Sequence, residues 1–222
     1  MSILAGTNRY KTTHSGTGTH RLVFPILIEF LVLLVLLIAV VLAINIDVVI
    51  LENNLSEVSV TEILQSVFIL VSAMIFAWRA WRHIRSRGYF IAVATLFACM
   101  FVRENDALLD HIRHGFWIVP VGMIACFGII SVCRYRDSLA GPLARHFQER
   151  HTTFIFIGLL LLLVFSRLFG TGSLWQAVMG AGYDPSVKTV VQEGLELLGY
   201  ALITYGTVLS FANRETAPDT HR

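Results

Sequence analysis

Apolar runs about as long as a helix needs to cross a bilayer core, roughly 20 residues, recur along this chain at 22–49, 61–81, 89–111, 116–133, 153–169 and 188–211. These runs constrain the fold more than any other feature. In lipid every backbone N–H and C=O must be paired inside the protein, and a helix does this within each segment. Composition agrees: 55% of the 222 residues are hydrophobic and only 14% charged, with mean hydropathy +0.69, where a soluble domain carries about 25% charged residues. The expected fold is all-α, a polytopic membrane protein with a six-helix transmembrane bundle over 22–212, flanked by tails at 1–21 and 213–222.

Charge placement sets an expected orientation, because Lys and Arg collect in cytoplasmic loops near helix ends. Thirteen of the 17 basic residues fall in the two tails and in the second and fourth connections, among them Arg79, Arg82, Arg85, Arg87, Arg134, Arg136, Arg145 and Arg150. The other four are Arg103, Arg113, Arg167 and Lys188, which share the opposite side with Asp47, Glu52, Glu57 and Asp184. Both termini are therefore expected in the cytoplasm.

Several chemistries drop out. No basic run is interleaved with exposed aromatics in a soluble domain, so no nucleic-acid partner is expected. No GxSxG occurs, and Gly170-Thr171-Gly172 lacks the strand and helix of a nucleotide fold. Cys99, Cys126 and Cys133 show no CxxC spacing and read as buried apolar thiols without a disulfide. The first run exceeds the apolar core of a signal peptide, about 7–15 residues, and reads as a retained anchor. In DSLAGPLARHFQER, Leu139, Leu143 and Phe147 are spaced four apart among charges, which predicts a short amphipathic surface helix whose role is anchoring. The glycine-rich GTGSLWQAVMGAGYDPSVK reads as a mobile loop, with a lid or partly re-entrant segment as the alternative.

The chemistry-bearing pattern is VRENDALLDHIRH at the end of the third run. With the termini inside, this stretch lies at the outer end of the membrane. Glu62 and Gln65 open the second run at the same level, Arg167 closes the fifth, and Gln192, Glu193 and Glu196 begin the sixth. Helical spacing puts Arg103, Asp106, Asp110 and His114 on one stripe, with Glu104 and His111 beside it. On the sixth run Glu193, Glu196, Tyr200, Thr204 and Thr207 form a second stripe. A charge at the bilayer centre costs at least about 2.5–3.5 kcal/mol, so such residues face the bundle interior and mark function. Six carboxylates against Arg103 and Arg167 leave negative charge for a proton or a cation to neutralise.

Three readings compete. A metal-dependent, hydrolase-like membrane enzyme would hold a divalent ion such as zinc on Asp106, Asp110, His111, His114 and Glu193. Glu104 or Glu196 would then act as base toward bound water, and Arg103 or Arg167 would stabilise developing negative charge. A proton- or cation-coupled transporter or sensor would use Glu62, Gln65, Tyr200 and Thr204 as its path. A scaffold would use the charges as a structural network, with Arg103 paired to Glu62, Glu193 or Glu196. The stretches VTEILQS, RENDALLD and VQEGLELLGY together resemble a bacterial polytopic membrane family. That resemblance supplies neither a family name nor an activity; the chain is expected in a bacterial cytoplasmic membrane. The expected partners are the lipid bilayer and a lipid-like or small-molecule substrate.

Overall fold

A computed structural model describes residues 16–51 and 59–215, with side chains over 23–51 and 59–212. Most of the two expected tails, with Glu52 and Glu57, lies outside the described residues. Those that are described are helical, with no strand. The helices are α1 (Gly16–Asn45), α2 (Val60–Arg82), α3 (Arg87–Glu104), α4 (Asp106–Asp110), α5 (Ile118–Arg134), α6 (Ala140–Phe147), α7 (Arg150–Leu160), α8 (Ser166–Phe169), α9 (Gly172–Met179) and α10 (Pro185–Glu215). Among the described residues five helical segments are long and apolar enough to cross a membrane: Val23–Ile50, Val60–Arg82, Ile84–Glu104, Arg150–Phe169 and Pro185–Ala212. A sixth span exists if α5 and the Arg136–Phe147 segment, bent by 89° at Tyr135, count as one.

The chain divides at Ile38 into two compact units. Residues of the first unit, such as Phe24, Phe30 and Val35, are apolar and exposed, as a lipid-facing helix requires. The second unit, from Ala39 onward, contains the bundle.

Two local devices start α2 where it does. Ser59 is its N-cap and accepts from the Glu62 amide at 3.1 Å. Asp47, fully buried in the π-helical turn Ile46–Ile50, accepts from the Val60 and Thr61 amides at 2.8 Å each and from the Thr61 hydroxyl at 2.6 Å. A carboxylate there complements the positive end of the helix dipole. Pro185 occupies the first position of α10, where its missing N–H costs nothing.

The core of the second unit lies between α2, α3, α7 and α10, where Ile69, Phe76, Phe90, Phe97 and Ile203 are fully buried. Lipid tails are as apolar as these side chains, so close packing rather than water exclusion holds spanning helices together. Glycines set the α7–α10 approach. A Cβ on Gly158 would stand 2.5 Å from the Gly199 carbonyl, and one on Gly206 would stand 2.6 Å from the His151 carbonyl.

Four expectations change. The third run does not continue to residue 111, because α3 ends at Glu104. The Asn105 side chain donates to the Phe101 carbonyl at 2.8 Å and its backbone leaves helical geometry at φ −101°, ψ 28°, the competition with the helix that Asn offers. The glycine-rich connection is mostly helical rather than a loop, through α9, the 3₁₀ turn Gly180–Gly182 and the first turn of α10. Arg79 is no loop residue: it belongs to α2, is 1% exposed, lies 4.4 Å from the Phe90 ring centre and donates to Ser210. Cys126 and Cys133 are exposed on α5 rather than buried, while the amphipathic helix is present as α6.

Candidate metal centre

The turn between α6 and α7 consists of Gln148 and Glu149 alone. It places His146, in the last turn of α6, against His151, in the first turn of α7. The turn is held by hydrogen bonds to the His146 carbonyl, from the Glu149 amide at 3.0 Å and from the Thr152 hydroxyl at 2.6 Å. Glu149 is extended at φ −90°, ψ 136°, which turns its carboxylate back onto the two rings. Its Oε2 stands 3.0 Å from His151 Nε2 and 3.4 Å from His146 Nδ1, and those two nitrogens are 3.4 Å apart.

These edges match an ion's coordination shell. Ligand atoms about 2.1 Å from a tetrahedral zinc stand about 3.4 Å from one another. Among the described residues this is the one group of three or more His, Cys or carboxylate side chains with ligand atoms within 4.8 Å of one another, and it can hold a metal ion. The rings are fixed from outside the triangle. His146 and His151 are 1% and 4% exposed, and Tyr89 stacks on His146 at 4.5 Å and 15°, with Phe90 at its edge. A tetrahedral ion held by two imidazoles and one carboxylate would keep one position open. His146 also lines an apolar cleft of about 110 Å³ with Leu96, Leu143, Phe147 and Phe156, all of them exposed on the flank of the bundle.

Sequence reasoning missed this group. The apolar spacing of this stretch does not reveal it, although the three potential ligands of HFQERH lie within six residues.

The ligands expected at the other end do not converge. The break at Asn105 ends the stripe, and the chain then turns through α4. Asp110 accepts from the Gly115 amide at 2.8 Å and pairs with His114 at 2.9 Å, while the His114 side chain is 99% exposed. His111 is exposed and its Nδ1 lies 2.9 Å from the Ala107 carbonyl. Asp106, half-buried, opens α4.

The remaining acid-end residues do come together. Tyr200 donates to Glu104 at 2.6 Å, Gln65 donates to the Glu193 carboxylate at 3.1 Å, and Gln192 donates to Glu196 at 3.1 Å. Gln65 is fully buried and its Oε1 has no partner among the described residues. Glu62 shares a cavity of about 360 Å³ with Ser66, Glu104 and Asn105. Thr204 donates to the Phe68 and Tyr200 carbonyls at 2.9 Å and meets the Ser72 hydroxyl at 3.1 Å. The expected pairing of Arg103 with Glu62, Glu193 or Glu196 is absent: it makes no hydrogen bond or ion pair among the described residues, and Glu193 and Glu196 accept from Gln65 and Gln192 instead. Arg167 approaches Glu196 only to 3.9 Å.

Comparison of the chain with protein-family models, with curated proteins and with solved structures finds no match.

Proposed function

We propose that the protein is an integral membrane protein of six spans with both termini cytoplasmic, in a bacterial cytoplasmic membrane, and that His146, Glu149 and His151 bind a divalent ion, zinc first among the candidates. The observation that carries this reading is the triangle of ligand atoms with edges of 3.0, 3.4 and 3.4 Å. In this reading the ion's open position takes water and lowers its pKa toward about 7. The apolar cleft beside His146 takes the tail of a membrane-associated substrate, so the reaction is a metal-dependent hydrolysis at the membrane surface. A His₂Glu set also suits Fe(II) with open positions, and metal analysis separates the two.

The test is elemental analysis of detergent-purified protein. About one zinc per chain is expected for the wild type and for Asp110→Asn, and nearly none for His146→Ala and His151→Ala. Zinc retained when both histidines are replaced, or lost on Asp110→Asn, sinks the reading.

A second reading, a proton- or cation-coupled transporter, rests on the polar contacts between α2 and α10: Gln65 with Glu193, Ser72 with Thr204 and Arg79 with Ser210. Fully buried Phe76 lies on α2 between the last two of those contacts and interrupts the seam there. Proton or cation flux into proteoliposomes that is abolished by Glu193→Gln would favour it.

A further inference from the structure

The acid end holds a second cavity that the metal reading does not use. It measures about 310 Å³ and is lined by Arg103, Glu104, Arg167, Glu196 and Tyr200, with Trp117 and Leu163 among its apolar wall. Its charges balance in number, two arginines against two glutamates, yet they do not satisfy one another. Glu104 takes the Tyr200 hydroxyl and Glu196 takes the Gln192 amide. Arg167, its side chain 51% exposed, stays 3.9 Å from Glu196, and Arg103 has no hydrogen bond or ion pair among the described residues.

A guanidinium offers its N–H groups in a planar fork that suits the paired oxygens of phosphate or carboxylate. Keeping one unpaired at the end of a spanning helix is costly unless a ligand or water satisfies it. The carboxylates narrow the ligand. A purely anionic group would sit beside two glutamates, and a purely cationic one beside two arginines. A group carrying both signs meets complementary charge at each end, with Trp117 offering a ring face to an ammonium. Leu163 is 64% exposed on the flank of the α7–α8 span, so the cavity wall is continuous with the lipid-facing surface.

We propose that this cavity binds the head group of a zwitterionic phospholipid, with the phosphate on Arg103 and Arg167, the ammonium toward Glu196, and the acyl chains leaving over Leu163. Phosphatidylethanolamine meets this description and fits a cavity at the lower end of the usual ligand-site range, roughly 300–1,000 Å³.

Native mass spectrometry of the full chain in a phospholipid-free detergent tests it, with short-chain phosphatidylethanolamine, short-chain phosphatidylglycerol, glycerophosphoethanolamine and inorganic phosphate as probes. The expected result is one phosphatidylethanolamine retained per chain, with at least tenfold weaker retention of phosphatidylglycerol and of the two soluble compounds. Arg167→Gln and Arg103→Gln should each weaken retention about tenfold, Arg103→Lys should restore part of it, and Glu196→Gln should erase the preference for the ethanolamine lipid. Circular dichroism and monodisperse elution identify variants that fold, and exposed Arg167 supplies one if Arg103→Gln does not. Equal retention of both lipids, or unchanged retention in folded Arg167→Gln, overturns the proposal. Displacement by inorganic phosphate or glycerophosphoethanolamine at matching concentration overturns the lipid assignment in favour of a soluble phosphate compound.

Discussion

The two ends of the bundle arrange their polar groups in opposite ways. At the histidine end three ligand atoms lie within 3.4 Å of one another, and the two rings that carry two of them are buried, His146 against Tyr89 and Phe90. At the acid end the carboxylates come from α2, α3 and α10, with Glu104, Glu193 and Glu196 each bonded to a neutral donor, around cavities of about 310 and 360 Å³. The difference lies in chain separation. Residues 146, 149 and 151 are fixed by one turn, so the geometry of a small ion is set locally. Glu104 and Tyr200 are 96 residues apart and meet only after the helices pack, which suits a larger ligand held between elements.

The comparison breaks first, and most heavily, at the triangle. An ion that binds only the folded protein stabilises it by about 2.7 kcal/mol at 100 times its Kd. Zinc should therefore raise the thermal midpoint of the wild type in detergent and leave His151→Ala unmoved. Acidification should erase the shift, because imidazole ligands must be neutral to bind. Gly206→Ala sharpens the same point without touching a ligand. Its new Cβ would stand 2.6 Å from the His151 carbonyl, so the backbone must yield, with roughly tenfold weaker zinc binding expected. An unchanged zinc titration would show that the α7–α10 approach does not position His151.

Hydropathy foretold the helices because insertion depends on segment composition, which a sequence displays directly. It could not foretell Asn105, where one side-chain bond to Phe101 ends α3 and disperses the ligands expected from Asp106 to His114. Nor did charge counting distinguish Arg79, buried against Phe90 and Ser210, from the loop arginines beside it. His146 and His151 escaped for a related reason: the apolar spacing of α6 accounts for Leu143 and Phe147 but is silent on which polar residues turn inward. Burial is decided by partners on α3 and α10, and a linear pattern contains no partners.

An effect of similar size lies at neither cluster. Asp47→Ala removes acceptors from two amides and a hydroxyl at the start of α2, the two Thr61 bonds buried and the Val60 bond half-buried. Bonds to a charged acceptor contribute about 1.5–3 kcal/mol each, and they are not additive, so a loss of about 2–4 kcal/mol is expected on chemical unfolding. Zinc stoichiometry should survive in the folded fraction. Tyr200→Phe is smaller, about 1–3 kcal/mol for one hydrogen bond to Glu104 at 2.6 Å, and it should change the acid end alone. A loss of zinc in Tyr200→Phe would mean that the two ends communicate through α10.

The smallest effect belongs to Asp184, an exposed residue outside both clusters. Its carboxylate accepts from the Ser186 amide at 2.9 Å just ahead of Pro185, where α10 begins, and so caps that helix. The Ser186 backbone N–H, followed by its hydroxyl, holds the Asp184 carboxyl below the usual carboxylate range. A carboxyl whose folded pKa is depressed stabilises the folded state above its unfolded pKa, about 3.9, and loses that contribution as pH falls through the folded value. Asp184→Asn keeps an oxygen acceptor but no charge, so its difference from the wild type should be greatest near neutral pH and close progressively below pH 4. Salt should shrink it too, since nothing shields the charge from solvent. A gap between the two proteins that persists undiminished at pH 3 would mean that the side chain's shape, and not its charge, starts α10, and the pH response of the protein would then have to originate at the buried ends.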